Sequence, residues 1–304
     1  MRVKTQLAVL LLLGSLQSIP SLAEPGKAWH HPIDLDDAVS PLDPGAPIEF
    51  QGAFDPSVAV DQRGMAVLAY SQHVVIKQWM FNGFPQVEKE ARIFVRTRCN
   101  NEWDKPKAGN LLGGFISLEG YNAYQPQVAI NKLGRGIIAW TQVVAGIERV
   151  FISMGTKNKE DCGWTWSKPT KFWDSISLNS SANAQRPRVA MDDNGNAIVT
   201  WQQRVYKGVE CFMNIFVSRY DVATNTWDYA EKLDDALNLY GTEAYWPEVT
   251  MAKQGAAATI TWYQMDPHPG VEISRIFTAD YDTQKKVWIK PDSFQSYISS
   301  NQTV

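Results

Sequence analysis

Four stretches of the chain repeat one pattern, and a repeat leaves fewer folds open than any isolated motif. Residues 56–64, 126–134, 187–195 and 247–255 each open on a proline (Pro56, Pro126, Pro187, Pro247), carry valine two places on, and close on a glycine. An apolar run follows each, ending on an aromatic and then a glutamine: Tyr70 and Gln72, Trp140 and Gln142, Trp201 and Gln203, Trp262 and Gln264. The prolines lie 70, 61 and 60 residues apart. The fourth copy has one extra residue between Gly255 and Trp262, which reads as a bulge.

Within a unit, apolar positions alternate with period two and a Gly-closed polar turn separates the first two runs, so an antiparallel hairpin is expected. A third apolar run is centred on Phe94, Phe151, Phe216 and Phe277, and a fourth strand is expected near Trp103, Trp166, Trp227 and Trp288. Four-stranded antiparallel units at this period are the signature of an all-β propeller, each sheet burying its faces against its neighbours. Trp29 precedes Leu35 and Ala38 by the interval at which Trp227 precedes Leu233 and Ala236. The expectation is therefore four full blades plus one extra N-terminal strand, either a closed four-bladed ring or part of a five- or six-bladed one. An open ring would expose a blade face, for which a second copy or another protein is the expected cover.

Twelve Trp, eleven Tyr and twelve Phe suit an aromatic-rich β fold. With 29 Lys and Arg against 32 Asp and Glu, the chain lacks the basic excess that phosphate binding requires, and nucleic acid is excluded as a partner. Residues 1–23 read as a signal peptide: Arg2 and Lys4, an apolar run from Leu7 to Leu13 too short to span a bilayer, and small Ser21 and Ala23 before the cut. The mature domain, 24–304, is expected to be secreted or periplasmic, without a membrane span. Cys99, Cys162 and Cys211 are too scattered for a disulfide framework or zinc site. They read as small buried apolar residues, with one disulfide and an odd thiol as the alternative. No metal or cofactor is expected: the 192–196 segment reads as a turn, and adjacent His30 and His31 would point to opposite faces of a strand.

The segment Asp161-Cys-Gly163-Trp-Thr165-Trp166 resembles the Asp-box, the turn between the two outer strands of sialidase-like propellers. Lys159 stands where the box has serine, and the other three units keep only the tryptophan. The resemblance implies a structural role for Asp161, Gly163, Thr165 and Trp166, away from any active site. Catalytic members of that family use an arginine triad, a Tyr/Glu nucleophile pair and an acidic Asp, with an Arg-Ile-Pro motif. Here the nearest string is Arg92-Ile-Phe, one of a repeated strand opening with Arg149 and Arg275, where the third unit has Asn214. The resemblance therefore implies the fold more than the reaction, and no catalytic residue is assigned.

In such a fold the loops leading into the inner strand and those joining the second strand to the third share one face, where ligands are usually met. The pre-proline pairs there are Phe54 and Asp55, Tyr124 and Gln125, Gln185 and Arg186, and Tyr245 and Trp246. Aromatic plates beside amides and an arginine suit sugar rings and hydroxyls. Gln72, Gln142, Gln203 and Gln264 are either part of such a site or caps that tie blades together. Arg92, Arg149 and Arg275 are either solvated strand ends or an anion-binding ring. The sequence reading is a binding module for a glycan or other surface polymer. The runner-up is a sialidase-like glycoside hydrolase or lyase using Glu90, Glu148, Glu210, Glu272 or Asp266, and a third reading is a protein-interaction scaffold.

Overall fold

The repeated alternation is realised as four antiparallel four-stranded sheets, each formed from consecutive strands. The computed structural model describes residues 40, 52–100, 102–104, 114–160, 162–267 and 273–299. All belong to the second of two units, Met1–Ala38 and Val39–Val304. The signal peptide, the Trp29 strand and the His30–His31 pair lie outside the described residues, as do Asp161 and Glu272.

Blade 1 comprises β1 (Ala53–Val60), β2 (Ala66–Phe81), β3 (Phe84–Cys99) and β4 (Glu102–Trp103). Blade 2 comprises β5 (Ala123–Ile130), β6 (Arg135–Val144), β7 (Ile147–Lys157) and β8 (Trp164–Trp166). Blade 3 holds β9 (Ala184–Met191), β10 (Ala197–Lys207), β11 (Glu210–Asp221) and β12 (Thr226–Asp228). Blade 4 holds β13 (Ala244–Met251), β14 (Ala258–Met265), β15 (Ser274–Asp282) and β16 (Val287–Ile289). The propeller-type blades expected from the repeat are thus present, with every predicted outer-strand tryptophan on its fourth strand.

The repeated aromatics form cross-strand pairs: Trp140 with Phe151, Trp201 with Phe216 and Trp262 with Phe277, their ring centroids 6.0–6.3 Å apart. Each pair packs on the small aliphatics of the preceding blade. Trp140 and Phe151 meet Val67, Ala69 and Ile93; Trp201 and Phe216 meet Ile137, Ala139 and Val150; Trp262 and Phe277 meet Ile198, Ile215 and Val217. One large pair against one small set fills the gap between adjacent sheets, which is why the aromatic recurs at each step.

The first hairpin turns are closed by a side chain. The carboxylates of Asp61 and Asp192 and the amide oxygen of Asn131 each accept two backbone N–H bonds from their own turn. Asp192 is fully buried in that role, so the 192–196 segment is a turn as expected. The extra residue of the fourth copy lies in this turn and is not a bulge: Met251 pairs with Ala258, where Met191 pairs with Ala197.

Inner strands pack in series, β1 on β5, β5 on β9 and β9 on β13, while no comparable packing joins β13 or β14 to β1 among the described residues. Burial follows. Strands β6 and β10 are buried on both faces, β14 alternates, and β1 exposes Val58 and Val60.

Two cysteines depart from the first reading. Cys99, at the end of β3, is bonded to Cys162 in the turn before β8, with Cα atoms 5.8 Å apart, while Cys211 is free and half-buried. The bond links the outer parts of blades 1 and 2. In the Asp-box-like segment Trp164 and Trp166 stack (5.3 Å) over the cross-strand pair Gly136 and Gly155, where any β-carbon would sit within 3 Å of the Trp166 ring. Thr165 donates to Asn158, and the Gly163 carbonyl accepts from the Asn158 N–H, closing the turn.

Candidate functional site

The segment following each outer strand returns to the third strand of its own blade and, after blades 1 to 3, then meets the next blade. Ile116, Ile176, Leu237 and Ile298 donate N–H bonds to the carbonyls of Ile93, Val150, Ile215 and Ile276. The residue after each (Ser117, Ser177, Asn238, Ser299) accepts the N–H of that same strand residue. The repeated glutamines take hold of these segments. Gln203 Oε1 accepts from Leu178 N–H (3.1 Å) and Trp201 Nε1 (3.0 Å), and its Nε2 donates to the Leu178 carbonyl and Ser180 Oγ. Gln142 does the same with Leu118, Trp140 and Tyr121, and Gln264 with Leu239, Trp262 and Thr242. Both lone pairs and both N–H groups are spent internally, which leaves no capacity for a ligand. These three glutamines are blade ties, the second of the two roles considered for them.

Arg92 and Arg275 are engaged within the fold rather than solvated. Arg92 is buried, its Nε 2.9 Å from Glu90, its guanidinium 4.2 Å from the Phe115 ring centre. Arg275 pairs with Asp266 at 2.7 Å and lies 4.1 Å over Tyr297. Arg149 donates to the Ser180 carbonyl. The charges that would hold an external carboxylate are satisfied by the protein's own carboxylates in blades 1 and 4.

The pre-proline pairs behave differently. In every blade the inner strand bulges at this point, two residues facing one, and the second member of each pair has positive φ: Asp55 (51°), Gln125 (55°), Arg186 (54°) and Trp246 (57°). A non-glycine residue there costs about 1–2 kcal/mol, so the geometry is maintained four times at some expense. The bulged residues touch across blades. Gln125 N–H donates to Asp55, Trp246 N–H donates to Gln202, and the Arg186 guanidinium lies 4.7 Å over the exposed Trp246 ring. Tyr263 packs on both Tyr245 (5.4 Å) and Trp246 (6.1 Å), and Phe54 leans on His73 (5.0 Å). Gln125 Oε1 is buried without a hydrogen-bond partner among the described residues.

Between blades 2 and 3, Glu148 accepts from the Tyr124 hydroxyl and from Gln185 Nε2, while its N–H donates to Asn183. Burial, reinforced by Glu148, holds the Tyr124 phenol above the ordinary tyrosine range. Between blades 3 and 4, Glu243 accepts from Arg204 (3.2 Å) and Met213 N–H (2.6 Å), and Tyr245 is raised by burial and by Glu243. Glu210 accepts from Tyr240.

Sequence reasoning missed Glu243, Arg204 and the blade 1 hairpin. Strands β2 and β3 run past the sheet to a turn at Asn82 and Gly83, both at positive φ, and Trp79, Met80, Phe81 and Phe84 are exposed beside it. The signal was present: the first unit is about ten residues longer than the others, and Asn-Gly between apolar runs marks a tight hairpin. Among the described residues no cluster of metal-ligating side chains occurs, and no helix is long and apolar enough to cross a membrane.

No protein-family model matches the chain, and no curated protein matches it in sequence. Among solved structures it is similar to the endo-arabinase of Bacteroides thetaiotaomicron, at 15% identity over 81% of each chain and TM-score 0.40. It is similar to an exo-1,5-α-L-arabinanase from a bovine ruminal metagenomic library at 12% identity, over 81% of this chain and 76% of that one, TM-score 0.37. A protein of unknown function from Dyadobacter fermentans matches at 12% identity over 74% of this chain and 60% of its own, TM-score 0.42.

Proposed function

We propose that the chain is an exported binding module that recognises a glycan through the loop face. The observation that carries this is the bulge series: one backbone geometry, repeated in all four blades, presents four different side chains, Asp55, Gln125, Arg186 and Trp246. Positions that serve the fold repeat their chemistry, as the glutamines do. Positions that repeat geometry but vary chemistry supply an acid, an amide, a base and an aromatic plate to one ligand, a set that matches a sugar's hydroxyls and CH faces.

The hydrolase reading rests on fewer groups. Glu90 and Asp266 are engaged in salt bridges by Arg92 and Arg275, which hold their oxygens within the fold. Tyr124 with Glu148 is a phenol–carboxylate pair of the kind the family resemblance implies, but Glu148 also accepts from Gln185 Nε2, so the carboxylate is shared with the neighbouring blade. Binding of residues 24–304 to a glycan array, with Trp246→Ala and Tyr124→Ala alongside, tests the proposal. Selective binding abolished by these changes is expected. A blank array from folded protein overturns it. Turnover of a bound glycan that Glu148→Gln abolishes while affinity persists establishes the enzyme instead.

A further inference from the structure

Blade 3 breaks the repeat at one place, and a cavity lies there. In blades 1 and 4 the residue paired with the glutamine across the hairpin is an arginine, Arg92 or Arg275, stacked on the aromatic that precedes the returning segment, Phe115 or Tyr297. The next cross-strand pair outward on the same face supplies its carboxylate: Glu90, opposite Val74, in blade 1, and Asp266 in blade 4. In blade 3 all three parts are replaced at once. Asn214 faces Gln203, Ala236 precedes Leu237, and the outward pair is Val205 with Phe212.

The position that arginine and aromatic take in blades 1 and 4 is open here, as a cavity of about 220 Å³ lined by Asn214, Ala236 and Asn238, with Lys207, Asp234 and Tyr240 around it. That is several times the ~30 Å³ share of one water and below the ~300 Å³ at which drug-sized pockets begin, a size for one ring-sized group. Its chemistry is mixed. Asn214, only 1% exposed, spends one N–H on the Phe212 carbonyl and one lone pair on Asn238, keeping a second of each. Tyr240 stands edge-on to Phe212, held by Glu210, with the Lys207 ammonium 4.4 Å over its ring.

A guest guanidinium is disfavoured, because the slot lacks both the carboxylate and the aromatic that hold one in blades 1 and 4. A simple anion would meet Asp234. A neutral polyol ring fits: its hydroxyls both donate and accept, matching the free half of the Asn214 amide, Lys207 and Asp234, and its CH face can take the place of Lys207 on Tyr240. We propose that this cavity binds one pyranose unit, a subsite separate from the bulge series. The inference deepens the glycan reading and rests on it for the ligand class.

The test uses the full mature chain and the methyl pyranosides of glucose, galactose, mannose and N-acetylglucosamine at millimolar concentration, observed by saturation transfer and by the side-chain amide resonances of Asn214 and Asn238. Two variants accompany it. Val205→Asp with Asn214→Arg and Ala236→Tyr rebuilds the blade 4 arrangement and fills the cavity; Tyr240→Ala removes the rim ring without touching the core. At least one pyranoside is expected to shift the Asn214 amide, with affinity falling about tenfold or more in both variants. If no pyranoside moves that amide, or affinity stays within about twofold in Tyr240→Ala and in the folded triple variant, the subsite does not exist. The array with Trp246→Ala judges the loop-face reading separately: a positive array with a silent Asn214 sinks only the subsite.

Discussion

Gln203→Leu removes a blade tie while nearly preserving volume. Two donors lose their acceptor, the Leu178 N–H and the Trp201 indole N–H, and both lie among buried residues. A buried donor left unsatisfied costs roughly 1–3 kcal/mol, so the pair puts the loss at about 4 kcal/mol, against the ~5–15 kcal/mol that holds a typical domain. The Leu178 carbonyl and Ser180 hydroxyl add less, since the carbonyl still accepts from the Ser180 N–H and the hydroxyl keeps its bonds with Ala182. Gln203→Ala opens room for a water to bridge the same groups and is expected to cost less, about 2 kcal/mol, despite the larger void. Urea unfolding followed by tryptophan fluorescence and circular dichroism measures both. Gln142→Leu and Gln264→Leu carry the same bonds and should behave alike. A loss below about 1 kcal/mol in all three, or an alanine variant worse than the leucine one, refutes the reasoning.

Reduction of the Cys99–Cys162 bond, which spans 63 residues, is expected to lower stability by about 4 kcal/mol from loop entropy, read as a fall in melting temperature with dithiothreitol that Cys99→Ser with Cys162→Ser reproduces without reductant. Gly155→Ala should destabilise by about 1–3 kcal/mol, since the added methyl meets the Trp166 ring at 2.5 Å; an unchanged urea midpoint would mean that Trp166 moves freely. Burial pushes the Tyr70 phenol up to about 12, and its hydroxyl has no hydrogen-bond partner among the described residues. Its folded pKa lies above the ordinary ~10, so about 3 kcal/mol of stability is present below pH ~10 and lost as pH rises toward 12. Tyr70→Phe should flatten that alkaline limb and be neutral or stabilising at pH 7, as alkaline melting curves would show.

Much of the fold was legible because repetition samples one environment four times. Trp140, Trp201 and Trp262 recur since each must fill the same gap over the preceding blade, and Gln142, Gln203 and Gln264 recur since each must satisfy the same returning segment. The site was legible only in part. The pre-proline residues stood out by varying, but nothing local shows that Asp55, Gln125, Arg186 and Trp246 share a positive φ or that Arg186 lies on Trp246. For Arg92 the sequence shows Glu90 two residues away but not Phe115, which arrives with the returning segment.

What the sequence by itself determined is the period, the strand order within each blade and the polarity of each face, because a strand's side chains alternate and a tight turn has few chemistries. What only the tertiary structure decided is which repeated residues are spent holding blades together. It also joined Cys99 to Cys162, left β13 and β14 without packing on β1 comparable to that between the other inner strands among the described residues, and opened a cavity where blade 3 lacks its arginine. Those outcomes depend on contacts between residues tens of positions apart, and a hydrogen-bond donor or an arginine reads the same in sequence whether its partner is the protein, water or a ligand.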